Sequence, residues 1–450
     1  MTDPMHPLLA TGGAVALLLW LVLKLRMSPF LALLVTTLLA ALAAGMPPMQ
    51  AIESVKVGMG GTLGFIAIIV GLGSIFGALL QASGGIEALA ALFIRGSGSK
   101  RLPWLMGFLG VIVAIPVFFD VGLIILAPII FALAARLKTA PAQLAIPLLA
   151  GLATAHAFVP PTPGPMAVAD LLHADIGWVA LFGALAGIPA MVVAGPLWAA
   201  MLGRLRWLPV HEEQGTAAGI VPHVTGTASD ARKALLVIIM PLALICVATV
   251  APLLLGNGKT SALLQFVGHP FSALLLSCGL VYMLFRPADE EQRAKFRRVC
   301  ERALEPAGAI ILVTGAGGAF KQVLVDTGAG AELASAALGL GFAPLVAGFV
   351  LALLVRVAQG SATVAMITSA GLTAPIVEAA ALSPQQTALT VIAIAAGATA
   401  ASHVNDSGFW LVSRYFNLSS AETLKSWTVS STLIGVTGFL ATLLLSYVIA

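Results

Sequence analysis

Charge is what this sequence has least of. Asp, Glu, Lys and Arg together make up 9% of its 450 residues, against roughly 25% in soluble domains. With 59% hydrophobic residues and a mean hydropathy of +1.03, that scarcity excludes a water-soluble fold, which could not hide so much apolar surface. Cysteine is scarcer still. Cys246, Cys278 and Cys300 are an odd number without metal-ligand spacing, so neither a disulfide framework nor a zinc site is expected. The first two lie in apolar runs and read as small core residues. The basic residues form no stripe that would bind nucleic acid. Enzyme motifs are missing too: there is no H-E-x-x-H and no G-x-S-x-G. GNGKT at 256–260 is no phosphate loop, because the required glycine at 253 is a leucine. Without an ATP site, a primary pump is excluded.

What is present is a series of long apolar runs, approximately 8–23, 29–45, 59–82, 103–135, 142–172 and 177–203. A polar stretch from Arg204 to Lys233 follows, and the runs resume at 234–255, 261–285, 306–325, 343–375, 386–416 and 427–449. Runs this long and this free of charge are membrane spans. The first run is followed by Lys24 and Arg26 rather than by a cleavage site, so it reads as a span and not a signal peptide.

The two sets of six runs match each other. At a constant offset of 244, Gly71, Gly73, Phe76, Leu80 and Gly84 meet Gly315, Gly317, Phe320, Leu324 and Gly328. Lys24/Arg26, Arg95/Lys100/Arg101, Arg136/Lys138, Arg204/Arg206, Arg232/Lys233 and the Arg286–Arg302 cluster mark cytoplasmic loops. The run 103–135 then enters and returns on one side, as a re-entrant hairpin with Asp120 deep at its tip. Counting crossings makes 343–375 its mirror image, with the second half inverted. The expected fold is an all-α polytopic membrane protein of two inverted-topology repeats, with about 10 spanning helices and two re-entrant hairpins of broken helices. The domains are 1–203, a cytoplasmic linker at 204–233, and 234–450, with both termini periplasmic.

Irregular backbone at membrane depth is tolerated only against protein or a cavity, and four places break the helical pattern. They are the tip with Pro116 and Asp120; His156 followed by VPPTPGP (159–165); Arg356, Gln359, Gly360, Ser361 and Thr363; and SHVNDSG (402–408). Proline cannot continue a helix, and an intramembrane acid costs roughly 2.5–3.5 kcal/mol on insertion scales. Asp120 and Asp406 are therefore candidate coupling acids, a structural ion pair or helix cap being the alternative. Arg356 either clamps a substrate carboxylate or pairs with one of these acids. Candidate substrate contacts are Arg356, Gln359, Ser361, Thr363, His156, Thr162, Gly164, Ser402, His403 and Asn405. Lys321 and Asp326 read as interfacial, and Glu53, Lys56 and Glu87 as loop residues. Gly60-x-x-x-Gly64 and Gly73-x-x-x-Gly77 permit close helix packing.

The stretches GGTLGFIAIIVGLGSIFGALL (60–80), FVPPTPGP (158–165), VRVAQGSATVAMIT (355–368) and SHVNDSGFWLVSRYFNLSSAETLKSW (402–427) resemble the gluconate permeases over roughly 20–445. That resemblance implies proton-coupled uptake of gluconate or a related sugar or hydroxy acid across the bacterial inner membrane, by a protein that is typically a homodimer. Beyond the proton, no cofactor or metal is implied. Family members usually carry Thr-His-Gly where this chain has Ala155-His156-Ala157, commonly His at Thr162, and often Glu at Asp120. The expected mechanism is alternating access, with an acid carrying the proton and Arg356 the organic anion. A sodium-coupled carboxylate carrier, a D-serine permease of the same family and a passive channel are the alternatives.

Overall fold

The computed structural model describes residues 27–94, 101–137, 139–205, 227–256, 258–286, 289–328, 343–404 and 406–449, with Gly98 and some positions between 13 and 25. Asn405, residues 206–226 of the linker and much of the first apolar run lie outside the described residues. Every described element is a helix.

From Pro29 onward, α1 (Pro29–Ala43) leads into the long α2 (Pro48–Ala82) and the short α3 (Gly85–Ile94). Then come α4 (Leu102–Ala114), α5 (Phe119–Leu137), α6 (Pro141–Phe158) and α7 (Pro163–Leu171). α8 (Ile176–Val192) is carried by a π-turn over Val193–Leu197 into α9 (Trp198–Leu205). Beyond the linker, α10 (Ala228–Leu255), α11 (Lys259–Gly268) and α12 (Pro270–Leu284) precede a second long helix, α13 (Glu290–Asp326). α14 (Pro344–Gln359), α15 (Ala362–Ala379), α16 (Pro384–Thr399) and α17 (Ser407–Tyr415) follow. The chain closes with α18 (Ser420–Thr423), a π-turn over Leu424–Thr428, and α19 (Val429–Ile449). Proline sets many of these starts. Pro29, Pro48, Pro141, Pro163, Pro270, Pro344 and Pro384 each open a helix, where the missing N–H would have no intrahelical partner.

Elements of the two halves follow each other in the same order at nearly one offset. Shifting Pro48–Ala82 by 244 gives 292–326, inside α13, and shifting Leu102–Ala114 gives 346–358, inside α14. Pro163–Leu171 shifted by 244 gives 407–415, the bounds of α17. α2 and α13 lie side by side at a crossing of small residues: a Cβ on Gly58 would sit 2.6 Å from the Gly318 carbonyl oxygen. Gly151 brings α6 closer still to α4, where a Cβ would meet the Gly107 oxygen at 2.0 Å, and Gly397 does the same for α16 against the Phe349 oxygen of α14, at 2.2 Å. In lipid, where apolar burial drives little association, such close backbone approach supplies the packing.

Seven helices among the described residues are long and apolar enough to cross a membrane, or eight if α11 and α12, bent by 63°, count as one span. About ten were expected. The difference arises because run 29–45 yields a helix of only 15 residues, run 386–416 is cut between α16 and α17, and run 8–23 is only partly described. α4 has 13 residues, about 20 Å of helix, well short of the roughly 30 Å hydrocarbon core.

Two readings need correction. Gly60 and Gly64 have no atom within 4 Å of an added Cβ, so this pair makes no close crossing. Gly77 does, with an added Cβ 2.0 Å from the Pro116 oxygen. Glu53, Lys56 and Glu87 lie within α2 and α3 rather than in loops. Glu53 and Lys56 form an exposed pair at 2.6 Å.

Candidate functional site

Four interruptions converge on one region: Ile115–Phe118 between α4 and α5, Val159–Thr162 between α6 and α7, Gly360–Ser361 between α14 and α15, and Ala400–Asp406 between α16 and α17. Each has a local cause. Pro160 to Pro165 exhausts the donors that would extend α6, and the Pro160–Pro161 bond is cis. Gly360 stands at φ +89° and donates its N–H to the Arg356 carbonyl at 2.9 Å, closing α14 in a left-handed conformation that glycine adopts without penalty. Ser361 then caps α15, accepting from the Val364 amide at 3.4 Å.

Between the breaks is a cavity of about 600 Å³, within the roughly 300–1,000 Å³ of small-molecule sites. Asp120, His156, Arg356, Ser361, Thr363 and Asp406 line it. So do the N-terminal residues of α5, α15 and α17, namely Phe119, Ala362 and Ser407. Helix N-termini carry partial positive charge; α5 and α17 already hold the carboxylates of Asp120 and Asp406 at theirs, whereas α15 holds none in its first turn.

Arg356 and Asp406 form the most buried charge pair, 3% and 9% exposed. The Arg356 Nη2 donates to Asp406 Oδ2 at 2.5 Å. The same oxygen accepts from the Ser402 hydroxyl, and Oδ1 accepts from the Gly408 amide at 3.1 Å, which makes Asp406 the N-cap of α17. The carboxylate is thus well supplied with donors. The guanidinium is not: its Nε and Nη1 are buried and have no partner among the described residues. Removing N–H groups from water without a partner is costly, so the arrangement calls for a further acceptor. Of the two roles open from sequence, pairing with an acid is present, and two of the three guanidinium nitrogens are left over.

Asp120, the second residue of α5, is exposed to the cavity rather than deep in packed protein. The His156 ring meets Phe118 edge-on at 6.0 Å, and its Nδ1 has no partner among the described residues. Thr162 lines a neighbouring void of about 20 Å³ with His156, but its hydroxyl donates to the Val159 carbonyl at 2.7 Å. Gly164 faces Met366, whose Sδ would lie 2.7 Å from an added Cβ. Gln359 and His403 stand off the cavity wall, each with a buried atom (Oε1 and Nδ1) that has no partner among the described residues. Ser402 is buried behind the wall, and Asn405 is outside the described residues. Among the described residues no cluster of three or more His, Cys, Asp or Glu could hold a metal.

Sequence reasoning missed Phe118, Phe119, Thr399, Ser407 and Trp427, all on the wall. Trp427 stands on the π-turn Leu424–Thr428, a kind of irregularity frequent at functional sites but without a sequence signature. Lys321, read as interfacial, binds three groups at once. Its Nζ donates to the Leu171 carbonyl at the end of α7 at 2.8 Å and meets His173 Nε2 at 3.2 Å and Glu378 Oε1 at 3.2 Å. It ties together the far ends of α7 and α15, whose near ends begin at the breaks. Asp326 accepts from Ser54 at 2.6 Å, joining α13 to α2.

Comparison with known proteins agrees with this architecture. The low-affinity gluconate transporter of Escherichia coli K12 is 41% identical over 437 residues, 96% of each chain. The gluconate permease of Pseudomonas aeruginosa is 36% identical over 96% of each chain. The Gnt-II system L-idonate transporter of E. coli K12 is 34% identical over 98% of this chain and all of that one. Among solved structures, MtrF of Neisseria gonorrhoeae, described as illuminating a class of antimetabolite efflux pumps, superposes with a TM-score of 0.69 at 14% identity, over 94% of this chain and 96% of that one. The YdaH transporter of Alcanivorax borkumensis gives 0.58 at 17% identity over 88% and 89%. At such identities the likeness is one of fold. The model of the GntP family of permeases matches residues 6–448, and with these relatives it shows that the chain belongs to that family, as a multi-pass inner-membrane transporter and not an enzyme.

Proposed function

We propose that this protein takes up gluconate, or a closely related sugar or hydroxy acid, together with a proton and by alternating access. The observation that supports this most directly is the buried Arg356, with one nitrogen on Asp406 and two without partners, on the wall of a cavity of about 600 Å³. A planar guanidinium suits a carboxylate, and Ser361, Thr363 and Ser407 beside it offer hydroxyls to a polyhydroxy chain. Relatives named for gluconate and L-idonate handle such molecules.

Asp120 is the coupling acid in this reading. Asp406 already has Arg356 as counter-ion, whereas Asp120 faces the cavity with no ion pair among the described residues. The halves 1–203 and 234–450 are inverted copies joined by a cytoplasmic linker at 204–233, and the working unit is a homodimer. The test is uptake into proteoliposomes under an imposed pH gradient. Accumulation of gluconate above the outside concentration, abolished by a protonophore and unchanged without sodium, is expected. Equilibration without accumulation would make the protein a facilitator, and loss on sodium removal would replace the proton.

A further inference from the structure

Trp427 occupies an unusual position on the cavity wall. Its ring is 3% exposed and stacks on Phe119 with centroids 5.4 Å apart and planes 30° apart. The contact bridges the break before α5 in the first half and the π-turn after α18 in the second. Its indole Nε1 donates to Ser402 Oγ at 2.8 Å, and that hydroxyl in turn donates to Asp406, the partner of Arg356. The π-turn is fixed from both sides. Trp198 donates its indole N–H to the Ser426 carbonyl at 3.0 Å, and Ser430 donates to the Ala194 carbonyl in the other π-turn at 2.9 Å. Phe119, only partly buried, carries the open side of this pair on a cavity wall that also holds the Arg356 guanidinium, while Trp427 packs beneath it and fixes that surface in place for the C–H face of a ligand.

We propose that the Phe119–Trp427 pair determines which chain length of hydroxy acid is favoured, with the carbon chain lying on Phe119 and Trp427 backing that ring, and that Ser402 is a positioning residue that aims Arg356 through Asp406. The inference rests on the carboxylate reading of the cavity and adds what selects among carboxylates. The two roles separate by substitution. The ring should discriminate by length, while the N–H and the Ser402 hydroxyl should act on every acid alike, because all acids share the head group.

The experiment measures KM and kcat in proteoliposomes for glycerate, threonate, ribonate and gluconate. Trp427→Ala is expected to raise KM for gluconate by about tenfold, the scale of one aromatic contact, and to leave glycerate nearly unchanged, so that the ranking by length collapses. Phe119→Leu, on the half-buried partner ring, should collapse the ranking in the same direction and keeps the test available where Trp427→Ala fails to reach the membrane. Trp427→Phe and Ser402→Ala should raise KM for all four acids by a common factor with the ranking preserved. If Trp427→Ala or Phe119→Leu shifts all four acids equally, the ring is structural and the inference falls. A wild-type protein that carries none of these acids overturns the carboxylate reading itself.

Discussion

At the residue scale, the Arg356–Asp406 pair is where stability and transport can be told apart. Removing one member of a buried pair leaves an uncompensated charge and costs about 3–5 kcal/mol. Arg356→Ala should therefore lower the thermal midpoint of the purified protein and its yield in membranes. Replacing both members, as Arg356→Met with Asp406→Leu, should recover most of that stability without recovering uptake, since the head-group site is gone. Uptake by the double variant at the wild-type rate would show that the carboxylate is held elsewhere. Arg356→Lys keeps the charge but loses the planar fork, and should fold better than Arg356→Ala while transporting poorly. Asp120→Asn tests coupling: exchange of labelled for unlabelled substrate should persist, while accumulation driven by a pH gradient should vanish. Full accumulation by that variant would move the proton to another group.

At the element scale, the breaks were legible, and so was an acid as one possible partner of Arg356, but not which acid. Pro160 to Pro165 and the Ser402–Gly408 stretch disrupt a helical pattern in plain view, because proline and capping residues act locally. The meeting of Arg356 with Asp406, across 50 positions, depends on how the end of α14 comes to the break before α17, which no local pattern encodes. The same limit explains the glycines. Gly60, Gly64, Gly73 and Gly77 look alike in sequence, yet only the tertiary approach of the Pro116 carbonyl makes Gly77 indispensable. Gly77→Ala should destabilise by about 1–3 kcal/mol through overpacking, whereas Gly60→Ala, with open space around it, should be neutral or stabilising by up to about 1 kcal/mol through helix propensity. Thermal melting of the two variants side by side checks the contrast.

At the scale of the whole molecule, hydropathy disclosed a polytopic all-helical chain, and the offset of 244 foreshadowed the matching order of elements in the two halves. Fewer spans are counted among the described residues than the apolar runs suggest, because an apolar run says nothing about where a helix stops inside it. Topology is open to direct test. A single cysteine at Glu291, exposed near the start of α13, should be protected from an impermeant thiol reagent in intact cells and should react in inverted vesicles. Labelling from outside the cell would reverse the proposed orientation.

The tie made by Lys321 has a further consequence. Position 321 less 244 is 77, so the counterpart of this lysine in the first half is the glycine that packs against Pro116. At matched positions, one half therefore makes an ionic contact and the other packs against bare backbone. His173, between spans, is held below the ordinary imidazole value by burial first and by Lys321 second, with Glu378 opposing. The ionic contact is therefore fully supported above that ordinary value and weakens as pH falls below it, when a second cation would crowd Lys321. Added salt screens charges at a partly exposed contact and hardly touches a carbonyl packed on a glycine. Two identical half-length chains would have to carry the same residue at this position. Joined in one polypeptide, the two copies can diverge, so that one of the two contacts answers to ionic strength and pH and the other does not.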